Sequence, residues 1–99
     1  MYVNNPTNKI FKNVPFVLMQ DEDDKFLKAF GIHFRLIREG KKIRKGKSIS
    51  LRKLEQLSDV DYSQIHRIEK GFSAPSLTTL RSLAKGLEIS LTDLVTFDY

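Results

Sequence analysis

Hydrophobic residues recur at helical spacing along most of this chain, and alternate in a strand-like way only near its end. Phe26, Phe30, Phe34 and Ile37 follow one another at spacings of four and three, which places them on one helix face. They predict a first helix from about Asp24 to Glu39, with Gly31 used for close packing and Gly40 as the stop. The acids of Asp21 to Asp24 suit the start of such a helix, where negative charge favours the exposed amides. Ser50 is a good N-cap for a second helix that turns Leu51, Leu54 and Leu57 inward. Ser58, Asp59 and Val60 make a turn. Asp61 caps a third helix, Gln64 completes a capping-box pattern, and Gly71 ends it. Ser76 caps a fourth helix with Leu77, Leu80, Leu83, Ala84 and Leu87 inside, and Ser90 with Asp93 caps a short fifth over Leu91 to Val95. The expected class is all-α.

The two ends follow a different pattern. Ile10, Phe11 and the run Val14 to Met19 are apolar patches around Pro15, which argues against a helix there and allows an extended arm. Val95 to Tyr99 has β-type alternation. The two ends are expected to pair, to cover the core, or to meet a second subunit. The resulting division is an N-terminal arm over 1–22, a helical domain over 23–95 and a tail over 96–99.

Charge sharpens this outline. The net charge of +5 is modest, but eleven Lys or Arg lie between Lys25 and Lys53 against Glu39 alone. Such a block is an electrostatic footprint for a polyanion, although most charge runs are simply solvated surface. At 99 residues the chain forms one domain. It has no Cys, which removes disulfides and thiolate metal sites and fits a reducing compartment. No apolar run is long enough to span a bilayer and no signal peptide is recognisable, so the expected location is cytoplasmic.

The third helix, about residues 62–70, offers the chemistry. At about 100° per residue, Ile65 and Ile68 define its buried side. Ser63, Arg67 and Lys70 lie opposite, with His66 nearby and Tyr62 on one flank of the first turn. The amino end of such a helix enters the major groove and meets base edges. Arg67 can donate two hydrogen bonds to one guanine. Ser63 and Gln64 can donate or accept at bases or phosphates, and Tyr62 can touch a thymine methyl or a phosphate. Glu69 falls close to the buried side. A carboxylate there needs a partner, because an unpaired one costs several kcal/mol or takes up a proton. Arg38 is the candidate.

These residues carry a family resemblance. Phe30-Gly31, Phe34 to Arg38, Leu51 to Leu54, Gln64 to Gly71, Pro75-Ser76-Leu77 and Leu83 to Leu87, through Leu94, resemble the lambda-repressor-like (Xre-type) helix-turn-helix family over about Phe30 to Val95. The pattern I-x-x-I-E-x-G followed by Pro-Ser-Leu is the most specific part. The resemblance implies a compact five-helix lambda-repressor-like domain, here with an extended N-terminal arm. It implies a homodimer on palindromic double-stranded DNA, gene regulation, and an Arg38–Glu69 ion pair. It places Tyr62, Ser63 and Arg67 at base-reading positions and Ser50, Leu51 (by its amide), Lys70 and Ser73 near phosphates. Glu55 stands where the family usually has Ala, and Asp59 where it usually has Gly, so the helix crossing is expected to differ. The loop before the second helix is also longer than usual. Its Lys41, Lys42, Arg44, Lys45 and Lys47 are expected to form a phosphate clamp.

Other function classes fare worse. His33 and His66 are the only histidines, and neither has a neighbour at a spacing that suggests a catalytic triad or a metal site. No enzyme activity, cofactor or metal is expected. The main rival is an antitoxin-type interaction module on the same fold, with the arm contacting a toxin partner. A single-strand or RNA binder is disfavoured, since aromatic stacking platforms other than Phe72 are absent from the expected exposed faces.

Overall fold

The computed structural model of the protein describes residues 16–99, with side chains from Gln20 onward. Among these residues the fold is all-helical: α1 (Phe16–Arg38), α2 (Leu51–Ser58), α3 (Tyr62–Glu69), α4 (Leu77–Leu87) and α5 (Leu91–Val95). The part of the expected arm before Phe16 lies outside the described residues. The part after it differs from expectation, because α1 begins at Phe16 rather than near Asp24. Pro15 restricts the residues before it and is tolerated at a helix start, so it does not prevent a helix from following. Asp21 to Asp24 therefore sit inside α1 and not at its first turn.

One core joins all five helices. Phe30, Phe34 and Ile37 of α1 meet Leu54 of α2, Ile65 and Ile68 of α3, Leu83, Ala84 and Leu87 of α4 and Leu94 of α5. Three inward assignments need correction. Leu57 is 48% exposed. Leu54 and Ser58, four residues apart, define the buried stripe of α2, and Leu57 stands about 80° from its centre. Gly86 of α4 presses there: a Cβ on it would lie 3.0 Å from Ser58 Cβ, so that crossing demands small residues. Leu77 is 70% exposed. Side chains tilt towards the helix N-terminus, which carries this first residue off the packed end of α4. Phe26 is likewise 41% exposed, at the rim of the α1 face.

The tail resolves one open choice. Phe97 is partly buried against the core, with its ring 5.6 Å from Phe30 and 5.4 Å from His33. Tyr99 meets Phe26 edge to face at 5.0 Å. The last residues thus cover the core rather than form a strand among the described residues.

The helix ends follow the capping residues. Ser50, Ser76 and Ser90 each accept the amide three residues on, at 3.0, 3.1 and 2.9 Å. Gly40 ends α1 with φ +74, and the Lys41 amide reaches back to the Leu36 carbonyl. Gly31 lets α1 and α3 touch: a Cβ on it would fall 2.5 Å from the Glu69 carbonyl oxygen. Asp59 takes the left-handed conformation expected of the family's Gly, with φ 60.

His33 is buried in α1 against α5. Its Nε2 lies 3.1 Å from the Asp93 carbonyl, which can only accept, so Nε2 carries the hydrogen. Nδ1 is buried without a partner. Protonating it would place a second N–H where nothing accepts it. Burial accordingly lowers the His33 pKa below 6.5, with the Lys42 charge adding to the effect. The unfolded chain then binds the proton first as pH falls. The His33 contribution to stability is complete above 6.5 and is lost progressively below it. Thermal midpoints are predicted to drop from about pH 7 to about pH 5, above the range where Asp61 and Glu39 titrate, and His33→Gln is predicted to flatten that drop.

Candidate nucleic-acid interface

The outer face of α3 exists because its inner face is held firmly. Ile65 and Ile68 are fully buried. Tyr62, Ser63, His66, Arg67 and Lys70 are exposed, and Gln64 is half-buried. At the far end, Glu69 meets Arg38 in a two-pronged pair: Nε to Oε2 at 2.5 Å and an Nη to Oε1 at 3.0 Å. The other Nη donates to the Ile49 carbonyl at 3.0 Å. Both side chains are about nine-tenths buried and the carboxylate is answered by two charged donors. Gly71 then closes α3 at φ +77, so tight against α1 that a Cβ would sit 2.7 Å from Lys28 Cγ.

The start of α3 is built from carboxylates. Asp61 accepts the Ser63 amide at 3.1 Å and also takes the Ser63 hydroxyl. These bonds, the hydroxyl first, hold the Asp61 carboxyl below its ordinary range. The capping box does not form as expected: among the described residues, Gln64 makes no side-chain bond back to Asp61. Glu55 supplies the second cap from α2, its Oε2 accepting the Tyr62 amide at 3.1 Å. Glu55 is half-buried at the rim of the helix pair. Arg52 lies 3.5 Å from its other oxygen and covers the Tyr62 ring at 3.8 Å. Such a cation–π contact contributes about 0.5–1 kcal/mol at exposed sites. From the sequence, Glu55 stands out only as a departure from the family, and its capping role is missed. The available signal is a long acceptor seven residues before the first amide of α3.

The expected phosphate contacts fall into two groups. A cleft of about 170 Å³ between α1, α2 and α3 brings Leu51 and Lys70 together with Arg35, Arg38, His66 and Glu69. Ser50, which caps α2, sits at its edge in sequence, and the half-buried Ser73 follows α3. Arg35 and His66, which the sequence did not single out for phosphates, line the same cleft. Arg35 is steadied by Glu39 four residues on, at 3.0 Å.

The basic loop is elsewhere. Its backbone folds on itself, the Gly46 amide bonding the Gly40 carbonyl at 2.9 Å and the Lys47 amide the Arg44 carbonyl at 2.9 Å. The Arg44 guanidinium donates to the Lys47 carbonyl at 2.7 Å, and Lys41 lies 3.6 Å from Glu39. Arg44, Lys45 and Lys47 line an open cleft of about 510 Å³ with Ile43 and, across it, Glu88, Ile89, Ser90 and Asp93 of the α4–α5 junction. Lys42 is half-exposed.

Together these groups offer a forked cation and an ammonium on α3, free amides at the start of α2, and carboxylates at the start of α3. The guanidinium, the ammonium and the amides can donate hydrogen bonds to an anion or a base acceptor, whereas the carboxylates can only accept. Among the described residues no three potential metal ligands cluster, and no helix is long and apolar enough to cross a membrane. The helix-turn-helix family model matches residues 41–94. No curated protein and no solved structure matches the chain.

Removing either member of the Arg38–Glu69 pair is predicted to destabilise the fold by about 3–5 kcal/mol, because it leaves the other charge buried and unpaired. Urea unfolding of Arg38→Met, Glu69→Leu and the double variant tests this. The double variant is expected to be less destabilised than the sum of the two single variants.

Proposed function

The chain belongs to the lambda-repressor-like (Xre-type) helix-turn-helix family of DNA-binding regulators, and we propose that it acts as a small repressor on a specific double-stranded operator. The observation that carries this reading is the third helix. It is seated by Ile65, Ile68 and the Arg38–Glu69 pair, and it presents Tyr62, Ser63 and Arg67 outward on an ordered scaffold. In this reading α3 lies in the major groove. Tyr62, Ser63 and Arg67 meet bases, while Gln64, Lys70, Ser73, Ser50 and the Leu51 amide meet phosphates. Two copies on a palindrome place their third helices about 34 Å apart.

The basic loop supports a broader electrostatic role. Lys41, Lys42, Arg44, Lys45 and Lys47 add attraction for the duplex without sequence information. The second reading, an antitoxin-type module, draws support from an apolar groove of about 210 Å³ lined by Phe26, Leu27, Phe30, Ala74, Pro75 and Leu80. A tight protein partner that co-purifies with the chain favours it.

Selection of bound sites from random duplex DNA at stated salt is expected to return a palindromic consensus. Binding without any consensus refutes sequence-specific regulation. Neutralising the loop with Lys→Gln changes is expected to weaken binding to all duplexes alike. It should also flatten the salt dependence by roughly 0.9 in log–log slope for each phosphate no longer neutralised. An unchanged slope removes the loop from the DNA contact.

A further inference from the structure

Ser63 has one hydroxyl hydrogen and two lone pairs with which to meet a base. Its partner decides where the hydrogen goes. Ser63 Oγ donates to Asp61 Oδ2, the same oxygen that accepts the Ser63 amide at 3.1 Å. A carboxylate has no hydrogen to return, so the direction of this bond is fixed. The lowered pKa of Asp61 keeps it an anion at neutral pH. Only lone pairs of Ser63 remain to face outward.

We propose that Asp61 sets the polarity of Ser63 as a base reader, so that the base Ser63 meets is one carrying an exocyclic amine, adenine or cytosine. The inference rests on α3 lying in the major groove. There adenine N6 and cytosine N4 donate, whereas guanine N7 and O6 and thymine O4 accept. Every base pair holds one such amine, so the discrimination is between strands: adenine or cytosine on the strand that Ser63 touches, guanine or thymine on the other. Glu55 brings a second carboxylate to the first turn of α3, bound to the Tyr62 amide at 3.1 Å. Arg52, 3.5 Å from the other Glu55 oxygen, offsets that charge, so the selection rests on the Ser63 hydroxyl. Arg52 sits over the Tyr62 ring at 3.8 Å and keeps that ring to one side of the first turn. Asp61 is therefore a positioning residue: it acts on the base through Ser63.

The test is site selection from random duplex DNA with the intact chain, the Ser63→Ala variant and the Asp61→Gly variant. Both changes are at exposed positions, and Gly is itself an accepted N-cap. The intact chain is expected to prefer adenine or cytosine at one position of each half-site. Ser63→Ala should reduce that preference by roughly three- to tenfold and keep the rest of the consensus. Asp61→Gly should admit guanine or thymine there, because the hydroxyl hydrogen is released. A measurement independent of any variant uses the intact chain on a duplex whose adenine or cytosine at that position lacks its amine; affinity should fall by the same factor. The inference is overturned if Ser63→Ala changes no position, if the position it changes is guanine or thymine, or if the amine-free duplex binds as well as the natural one. Those results leave sequence-specific binding standing. Absence of any consensus overturns both.

Discussion

A carboxylate placed under a protein surface has to be answered, and the geometry of this fold follows from how Glu69 is answered. Arg38, at the end of α1, uses its guanidinium on two partners: the Ile49 carbonyl that leads into α2 and Glu69 at the end of α3. A planar, rigid fork does this where a lysine ammonium could not. The neighbouring glycines make the pair reachable. Gly31 and Gly71 allow α1 and the end of α3 to meet backbone to backbone, so the fork reaches across the gap. The orientation of α3 is thus set from its carboxyl end by polar contacts and along its inner face by Ile65 and Ile68.

Charge on the outer surface is divided by this arrangement. Arg35 and Lys70 gather around the end of α1 and the start of α2, while Asp61 and Glu55 occupy the start of α3. The amides at the start of α3 are thereby engaged by side chains. A phosphate approaching there would meet carboxylates, and one approaching α2 would meet cations. The two ends of the proposed interface therefore differ in the groups they present.

Much of the fold is legible in the sequence because it is written locally. Periodic apolar residues and the serines before α2, α4 and α5 each announce themselves within a few positions. The Arg38–Glu69 pair is also legible, since a carboxylate beside a buried stripe demands a cation. What stays hidden depends on distance or competition. The start of α1 escapes the pattern because a proline is tolerated at a helix start and does not prevent a helix from following. Leu57 turns outward because Gly86 of α4 selects Ser58 for the crossing. The role of Glu55 is hidden because its partner amide belongs to another helix. The candidate site is legible on α3 itself. The placement of the basic loop against the α4–α5 junction is not, since nothing in Lys41 to Lys47 names Glu88 or Asp93 as its neighbours.

That loop carries a further consequence. Ile43 and Glu88 both adopt left-handed backbone conformations, with φ 62 and 60, and they face each other across the same cleft. Left-handed geometry costs roughly 1–2 kcal/mol for an ordinary L-residue, and a β-branched side chain suits it least. The α1–α3 body is tied by buried charge and close backbone contact, whereas two of the three left-handed non-Gly residues among the described ones lie on the walls of this cleft. The molecule therefore has a seam. Amide hydrogens around Ile43 and Glu88 are expected to exchange before those of α1 and α3.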